Sequence, residues 1–600
     1  MSSIEWNGID YPDDRILMKK LQQIDGGKVT FHQKFPEVKK MLDLLGSKGK
    51  TNLPILRILW EYDKYQKGNF IYISSDKKNC ILHPMAFAVR QGSEELIELL
   101  MQTNIDFNDI DDCGLTLIHH AAYDSTGNSI KLVLKYSLDC NIQDAKGNTV
   151  LHHACRNGNF KVVEPLSGND IDFNIKDNNG TTALHVACIR GYFDMVKHFI
   201  TNYRKLNIKL NVTDNQGFTP FHHACHQGYQ SNLSIVQLIL DHSNQFLIDA
   251  PNNLGMTPFH LACFYGQKHI VEYILFHSDK IPININGLTN DSDQKSAFHL
   301  ACLRGHLSIV ELFVDFARKK KVALNGRNSR GETPFFNACF KGHTNIVSFL
   351  LKQKSIKINI PDCSGVTPLH IACRQGYEDI VELLLIENPI DEEDANGETA
   401  LHHACIEGHL EVVKLLLESG FNVNAPNHAL AKPLHLACYY GHPEVVKTLL
   451  SHPNIDKNAK LPNGATMCHV ACASGECEVV KLIMDFGYFE EAIDDFGSNA
   501  CHYACCFNSS AELIILCFEA FKHNKQVLHA TDNNGRTPIQ LLLLQSSCQV
   551  ILNELKEHIS DPSIKIDIDR YQLKENLIRK RECYIQSTAK SCKNWFHKQF

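Results

Sequence analysis

Residues 367 to 376 read Thr367-Pro-Leu-His-Ile-Ala372-Cys373-Arg-Gln-Gly376, and this ten-residue phrase indicates the fold. Thr367 is placed to cap the start of a helix. The proline after it takes the first helical position, where its missing N–H costs nothing. Leucine, Ala372 and Cys373 then form a short apolar face, and Gly376 can end the helix in a left-handed conformation. The phrase therefore predicts a short helix with one buried face.

The phrase recurs along most of the chain, and an alanine marks each copy. Successive alanines lie 32 to 39 residues apart. They occupy positions 88, 121, 154, 187, 224, 262, 301, 338, 372, 404, 437, 471 and 504. A fourteenth copy begins at Thr537-Pro538-Ile539-Gln540 and has Leu542 in place of the alanine. Repetition at one period indicates a chain built from one structural unit.

Each copy carries a turn before the phrase and a second apolar segment after it. The run Asp177-Asn178-Asn179-Gly180 is typical of a turn, and Leu410 to Leu417 has the apolar spacing of a helix. No such unit buries its apolar faces alone, so the units are expected to stack. Longer gaps, such as the three extra residues between Gly228 and Ile235, are expected in loops. Left-handed helix ends are predicted at Gly158, Gly191, Gly228, Gly266 and Gly305.

The repeat resembles the ankyrin repeat, whose signature is Thr-Pro-Leu-His-x-Ala in a period of 33 residues. The resemblance implies an all-α ankyrin-repeat solenoid of stacked helix-turn-helix units with β-turn or hairpin fingers, about fourteen units over residues 78–560. It also implies that the motif histidines are structural and hydrogen-bond locally and to the next unit. Residues 1–77 are expected to be a helical N-terminal cap or small domain, with helices near 16–24, 38–45 and 55–62. Residues 561–600 are expected to form a basic C-terminal tail.

The 32 histidines and 23 cysteines raise the question of a metal site or a catalytic centre. Eleven cysteines directly follow a motif alanine, where a cysteine behaves as a small buried hydrophobe, so we expect free thiols. The best zinc candidate joins Cys468 and Cys472 to Cys501 and Cys505, but neighbouring helix axes about 8 to 10 Å apart favour core packing. Nucleophile-elbow, kinase and phosphate-loop motifs are absent from the sequence. We therefore expect neither an enzyme nor a cofactor.

Charge and hydropathy limit the possible partners. The net charge is −7, and no apolar run approaches the 18 residues of a membrane span. The N-terminus lacks the features of a secretory signal. We expect a soluble cytoplasmic or nuclear protein with no membrane or small-molecule partner. Nucleic acid binding by the tail, which contains Arg579-Lys580-Arg581, is the less favoured alternative to a solvated or self-docking helix.

The variable residues near the end of each first helix are the candidate binding residues, because ankyrin-type stacks present them along one concave face. Aromatic side chains and arginine are enriched there, as they are in binding hot spots. The predicted partner-binding residues are Phe264, Tyr265, Arg304, Phe340, Lys341, Tyr439 and Tyr440. The sequence thus predicts a non-enzymatic protein-interaction scaffold or adaptor. Alternatives are a substrate adaptor of a ubiquitin ligase, although no F-box or SOCS-box match is recognised, and a Cys/His-based metal protein or enzyme.

Overall fold

The computed structural model describes most of the repeat region and short stretches outside it. The described residues are 4–6, 9–11, 71–73, 79–81, 89–90, 92, 114–135, 139–168, 171–228, 230–387, 390–489, 491–507, 510–544, 548–558, 562, 564–565 and 568. They fall into two compact units, Met1–Ser292 and Asp293–Phe600. The described residues contain 27 α-helices. The fold is an all-α repeat solenoid.

Four short strands precede the repeats. Ile4–Trp6 pairs antiparallel with Ile9–Tyr11, and Ile71–Ile73 pairs antiparallel with Asn79–Ile81. The helices expected near 16–24, 38–45 and 55–62 lie outside the described residues, as do residues 569–600 of the expected basic tail.

In the first unit, helices alternate between the motif helix and the second helix of each repeat. The motif helices are Leu117–Ala121, Val150–Asn157, Ala183–Arg190, Pro220–His226 and Pro258–Phe264. The second helices are Asn128–Lys135, Phe160–Leu166, Phe193–Thr201, Gln230–Asp241 and Lys268–His277, and a 3-10 turn spans Ser243–Gln245.

The second unit continues the same alternation. Its motif helices are Ala297–Arg304, Pro334–Phe340, Pro368–Gln375, Ala400–Glu407, Pro433–Tyr439, Met467–Ser474, Ala500–Phe507 and Pro538–Leu543. Its second helices are Leu307–Ala317, Thr344–Leu351, Glu378–Glu387, Leu410–Glu418, Pro443–Leu450, Cys477–Asp485, Ala511–Ala520 and Cys548–His558. An additional short helix spans Lys525–Leu528.

The core of each unit lies between the helices of successive repeats. Ala372 has no exposed surface, because the motif helix of the next repeat packs directly against its own helix. Val412, Val413 and Leu416 of a second helix are likewise fully buried. Burying one such aliphatic side chain contributes about 1.5 to 3 kcal/mol to the stability of the fold, and each repeat buries several side chains of this kind.

The motif histidine ties each repeat to the next one. The Nδ1 atom of His370 accepts the backbone N–H of Thr367 at 3.1 Å, and the Thr367 hydroxyl accepts the His370 backbone N–H at 3.3 Å. The His370 Nε2 atom then donates to the Glu392 carbonyl of the following repeat at 3.0 Å. Equivalent links from Nε2 to a carbonyl are present for His119, His152, His185, His222, His260, His299, His402, His435, His469 and His502. The structural role that the resemblance implies is therefore confirmed.

The predicted helix ends are confirmed at four of the five named glycines. Gly158, Gly191, Gly266 and Gly305 have φ between 73° and 81°. The prediction for Gly228 is wrong. That helix ends at Gln227 in an extended conformation, with φ −84° and ψ 143°. The inserted residues supply Asn232, whose buried side-chain amide donates to the Ala224 and Gln227 carbonyls and replaces the glycine cap.

The turns before the motif helices form fingers that are hydrogen-bonded from one repeat to the next. The Asp144 carboxylate accepts backbone N–H groups from Lys146 and Asn148 within its own turn. The backbone N–H of Asn178 donates to the Lys146 carbonyl of the preceding finger at 2.9 Å. These local bonds keep the fingers in register within each unit.

Candidate functional site

The helix ends carry a row of side chains that the core does not use. We call the residues two and three positions after each motif alanine the helix-end row. All seven predicted binding residues belong to it: Phe264 and Tyr265 in the first unit, and Arg304, Phe340, Lys341, Tyr439 and Tyr440 in the second. In each aromatic pair the first residue is half-buried and the second is exposed, 43% for Tyr265 and 39% for Tyr440.

In the first unit the row is held by ring contacts. Tyr265 meets the His226 ring of the preceding repeat edge to face, with centroids 4.1 Å apart, and also contacts Phe264 at 5.0 Å. Earlier in the row, the Arg90 guanidinium lies 4.3 Å above the Tyr123 ring. These contacts hold exposed aromatic rings in defined orientations, which lowers the entropy that binding would cost.

In the second unit the row alternates cationic, acidic and aromatic groups. Lys341 lies 4.6 Å from the centre of the Phe340 ring, and Tyr439 meets Tyr440 edge to face at 5.2 Å. Between them, Arg374 of one repeat approaches Glu407 of the next at 3.7 Å. Arg304 is exposed. The row therefore offers both ring faces and charges of either sign.

Acidic groups surround Tyr440. Burial raises the pKa of the Tyr440 hydroxyl, and the neighbouring Tyr439, Glu398 and Glu407 side chains add to the shift. Burial also raises the pKa of Glu398. The Tyr440 hydroxyl is therefore a proton donor at neutral pH, beside carboxylates that attract cationic groups.

Four repeats carry a second histidine directly after the motif histidine, and for three of these histidines the structure shows a pair with the first turn aspartate. His153 donates to Asp144 at 2.9 Å, and His223 donates to Asp214 at 2.9 Å. His403 donates to Asp394 at 3.2 Å. In another repeat the Tyr503 hydroxyl donates to Asp494 instead. The pairs therefore brace the turn against its helix.

Among the described residues, one group of side chains has the geometry of a metal site. Asp394, Glu398 and His403 place one ligand atom each within 4.8 Å of one another. In two other repeats the equivalent aspartate–histidine pair is present without a third ligand. The pair therefore has a structural role. The four cysteines of the zinc candidate do not have this geometry. No three sulfur atoms of Cys468, Cys472, Cys501 and Cys505 lie within 4.8 Å of one another.

All eleven cysteines that follow a motif alanine are buried free thiols, as predicted. Burial raises the pKa of the Cys438 and Cys225 thiols well above the ordinary value. Such thiols are poor nucleophiles, because the thiolate is the reactive form.

Two residues at the glycine position of the fingers, Gln294 and Leu430, have a left-handed backbone that was not predicted from the sequence. Leu430 occupies the position that glycine takes in most fingers, with a φ of 57° and 52% of its side chain exposed. In the finger before it, a Cβ on Gly397 would lie 2.8 Å from the His428 backbone nitrogen of the next finger. The finger after Leu430 begins Leu461-Pro462, and proline has no N–H to donate. The signal that could have revealed Leu430 in the sequence is a leucine at the position where most fingers have glycine.

Buried helix pairs that repeat, with variable exposed side chains at the helix ends, define a helix-turn-helix repeat protein. A family model described as ankyrin repeats (3 copies) matches residues 85–177, 169–249, 206–286, 229–323, 280–362, 298–394, 386–461 and 434–527. The chain belongs to the ankyrin-repeat family. Ankyrin repeats indicate a protein-interaction scaffold and imply protein partners, and proteins built from them are generally non-enzymatic interaction modules.

Among solved structures, the chain is similar to the human ASB11 ankyrin repeat domain. The two are 27% identical, and the match covers 38% of this chain and 97% of that one at a TM-score of 0.34. No curated protein matches the chain. Within the described residues, none of the helices is both long enough and apolar enough to cross a membrane.

Proposed function

We propose that this protein is a non-enzymatic adaptor of the cytoplasm or nucleus that binds a partner protein on its concave, helix-end side. The partner contacts the helix-end row, with Tyr265 and Phe264 as anchors in the first unit. In the second unit the anchors are Arg304, Phe340, Lys341, Tyr439 and Tyr440. The buried core and the helix caps explain why most residues of the repeat recur. The helix-end row serves neither purpose, which leaves it available for binding.

The paired aromatic residues carry this proposal. In each pair a half-buried ring supports an exposed ring by edge-to-face contact. The exposed ring of Tyr440 leaves apolar surface in contact with water in the free protein and is not part of the buried core. Rigid tyrosines of this kind supply large contact area with only two side-chain torsions to order, which is why they dominate binding energies.

A second observation favours the repeat that contains Tyr440. Leu430 of the same repeat holds a left-handed conformation that costs a residue with a Cβ roughly 1 to 2 kcal/mol. Pro462 leaves the next finger without the N–H that other fingers donate. Strain that is retained at an exposed position points to a functional use. Gln294 shows the same strain in the repeat of Arg304, with φ 51°, but only the repeat from Asn427 to Leu450 combines it with an aromatic pair. We therefore expect the strongest contacts of the partner on that repeat.

The test is partner capture followed by quantitative binding. The full chain is immobilised, bound proteins are identified by mass spectrometry, and the affinity of each is measured by calorimetry. Replacing Tyr265 and Tyr440 by alanine should weaken binding by about 2 kcal/mol or more, with unchanged circular dichroism. Alanine at Lys414 and Lys447, on second helices, is the matched control and should have little effect. Equal losses from both sets, or none from the tyrosines, would place the partner on the insertions or the termini.

A further inference from the structure

One cysteine outside the repeated series lies against a member of it. Cys517 is on the second helix Ala511–Ala520, at the position that three preceding repeats fill with an aliphatic residue. Those equivalents are Leu416, Leu449 and Ile483, and all of them are fully buried. Cys517 is buried in the same way. In this repeat a thiol thus replaces an aliphatic side chain of the core.

The replacement brings two sulfur atoms into contact. The Sγ atom of Cys472, on the motif helix of the preceding repeat, lies 3.6 Å from the Sγ atom of Cys517. The Cys501 thiol approaches the Cys517 carbonyl at 3.8 Å, on the backbone side. A disulfide requires sulfurs about 2.05 Å apart, so Cys472 and Cys517 need to approach by only about 1.5 Å. Their positions in the sequence are 45 residues apart.

We propose that Cys472 and Cys517 form a reversible disulfide when the protein meets a peroxide, and that this bond locks two neighbouring repeats together. One thiol gives up its proton and attacks the peroxide, so that the O–O bond breaks, water leaves and a sulfenic acid forms. The second thiol attacks this sulfur, a second water leaves and the S–S bond forms. Two thiols and one hydrogen peroxide thus give one disulfide and two waters. A dithiol reductant reverses the change.

The surroundings of the pair make the reaction conditional. The hydrogen bond with Cys517, burial and the neighbouring thiols raise the pKa of Cys472, so the closed structure is protected. Reaction requires local opening, which is easiest toward the end of a solenoid, where a repeat has fewer neighbours. The oxidised bond would then join a motif helix to the second helix of the next repeat and restrict that opening.

The experiment uses the reduced full chain and hydrogen peroxide, followed by alkylation in denaturant and peptide mapping. Cys363, which is exposed, reports the oxidant dose. At a dose that oxidises Cys363 fully, we expect a peptide that links Cys472 to Cys517, loss of those two further thiols from the total of 23, and recovery with dithiothreitol. The thermal midpoint of the oxidised protein should rise.

Two variants make the assignment specific. Cys517→Leu restores the residue type of the other repeats, so it should fold and should abolish the link. Cys405→Ala, which changes another member of the series, should leave the link unaffected. A crosslink between other cysteines, oxidation of Cys472 to a sulfinic acid without a link, or full oxidation of Cys363 with both buried thiols intact would overturn the proposal.

Discussion

His226 and Tyr265 meet edge to face across two consecutive repeats, with ring centroids 4.1 Å apart and planes at 84°. The contact orients the exposed tyrosine before any partner arrives. Burial lowers the pKa of His226, and the nearby His223 contributes, so the histidine ring is neutral at physiological pH. The contact is therefore one between two aromatic rings, without a cation.

The first prediction concerns the ring of Tyr265. Tyr265→Phe keeps the edge-to-face contact and should retain most of the partner affinity, whereas Tyr265→Ala should lose about 2 kcal/mol. Calorimetry against the captured partner measures both variants. Equal losses from the two variants would mean that the hydroxyl, and not the ring, carries the binding energy.

The second prediction concerns the helix cap. Thr367→Ala should lower the free energy of unfolding by about 1 kcal/mol, because the hydroxyl no longer accepts the His370 N–H. Thr367→Ser is the control and should be nearly neutral, since Ser296 makes the same bond to His299 in another repeat. Urea melts of the two variants decide the point. Similar stabilities would show that the cap contributes nothing here.

The third prediction concerns the close approach of helices at Ala372. Ala372→Leu should cost roughly 1 to 3 kcal/mol by overpacking, because the alanine has no free surface. Ala395, on an exposed turn, provides the matched control, and Ala395→Leu should be neutral. If urea melts show Ala372→Leu to be as stable as the control, the repeats have room that the structure does not show.

The fourth prediction concerns pH. Burial lowers the pKa of seven motif histidines from 6.5 to about 4, and they include His370, His402 and His435. Between these two values the unfolded chain binds more protons than the folded chain. The histidine contribution to stability should therefore fall as pH drops from 6.5 to 4 and should level off below 4, with each histidine contributing up to about 1.4 kcal/mol per pH unit.

His370→Gln tests this account, because Gln540 accepts the Thr537 backbone N–H in the last repeat with no titrating group. The variant should lose one histidine's share of the pH dependence in urea melts at pH 7, 5 and 4. An unchanged slope would mean that another group causes the acid sensitivity.

The fifth prediction concerns Leu430. Leu430→Gly should raise the free energy of unfolding by about 1 kcal/mol, since glycine adopts a φ of 57° without a Cβ penalty. The same variant should weaken partner binding if the exposed leucine is a contact. Gly464→Ala, at the equivalent position of the next finger, should destabilise the protein. A destabilised Leu430→Gly would show that the side chain packs inside the free protein.

The local features were predictable from the sequence because each depends on residues within one helical turn. The threonine caps, the buried motif alanines and the left-handed Gly158 and Gly376 follow from the chemistry of a ten-residue phrase that the chain repeats. The seven candidate residues were also found from their position, because a repeat assigns its variable residues to the same place each time.

The contacts between repeats, and the local changes that insertions cause, depend on the tertiary structure. The side chain of the inserted Asn232 caps the helix where Gly228 was predicted to do so. Cys472 contacts Cys517, although the two are 45 residues apart in the sequence. Neither follows from spacing, because an insertion changes the path of the chain and packing between repeats determines which side chains face each other. The repeating unit follows from the sequence alone. The stacking of those units decided which of their side chains touch.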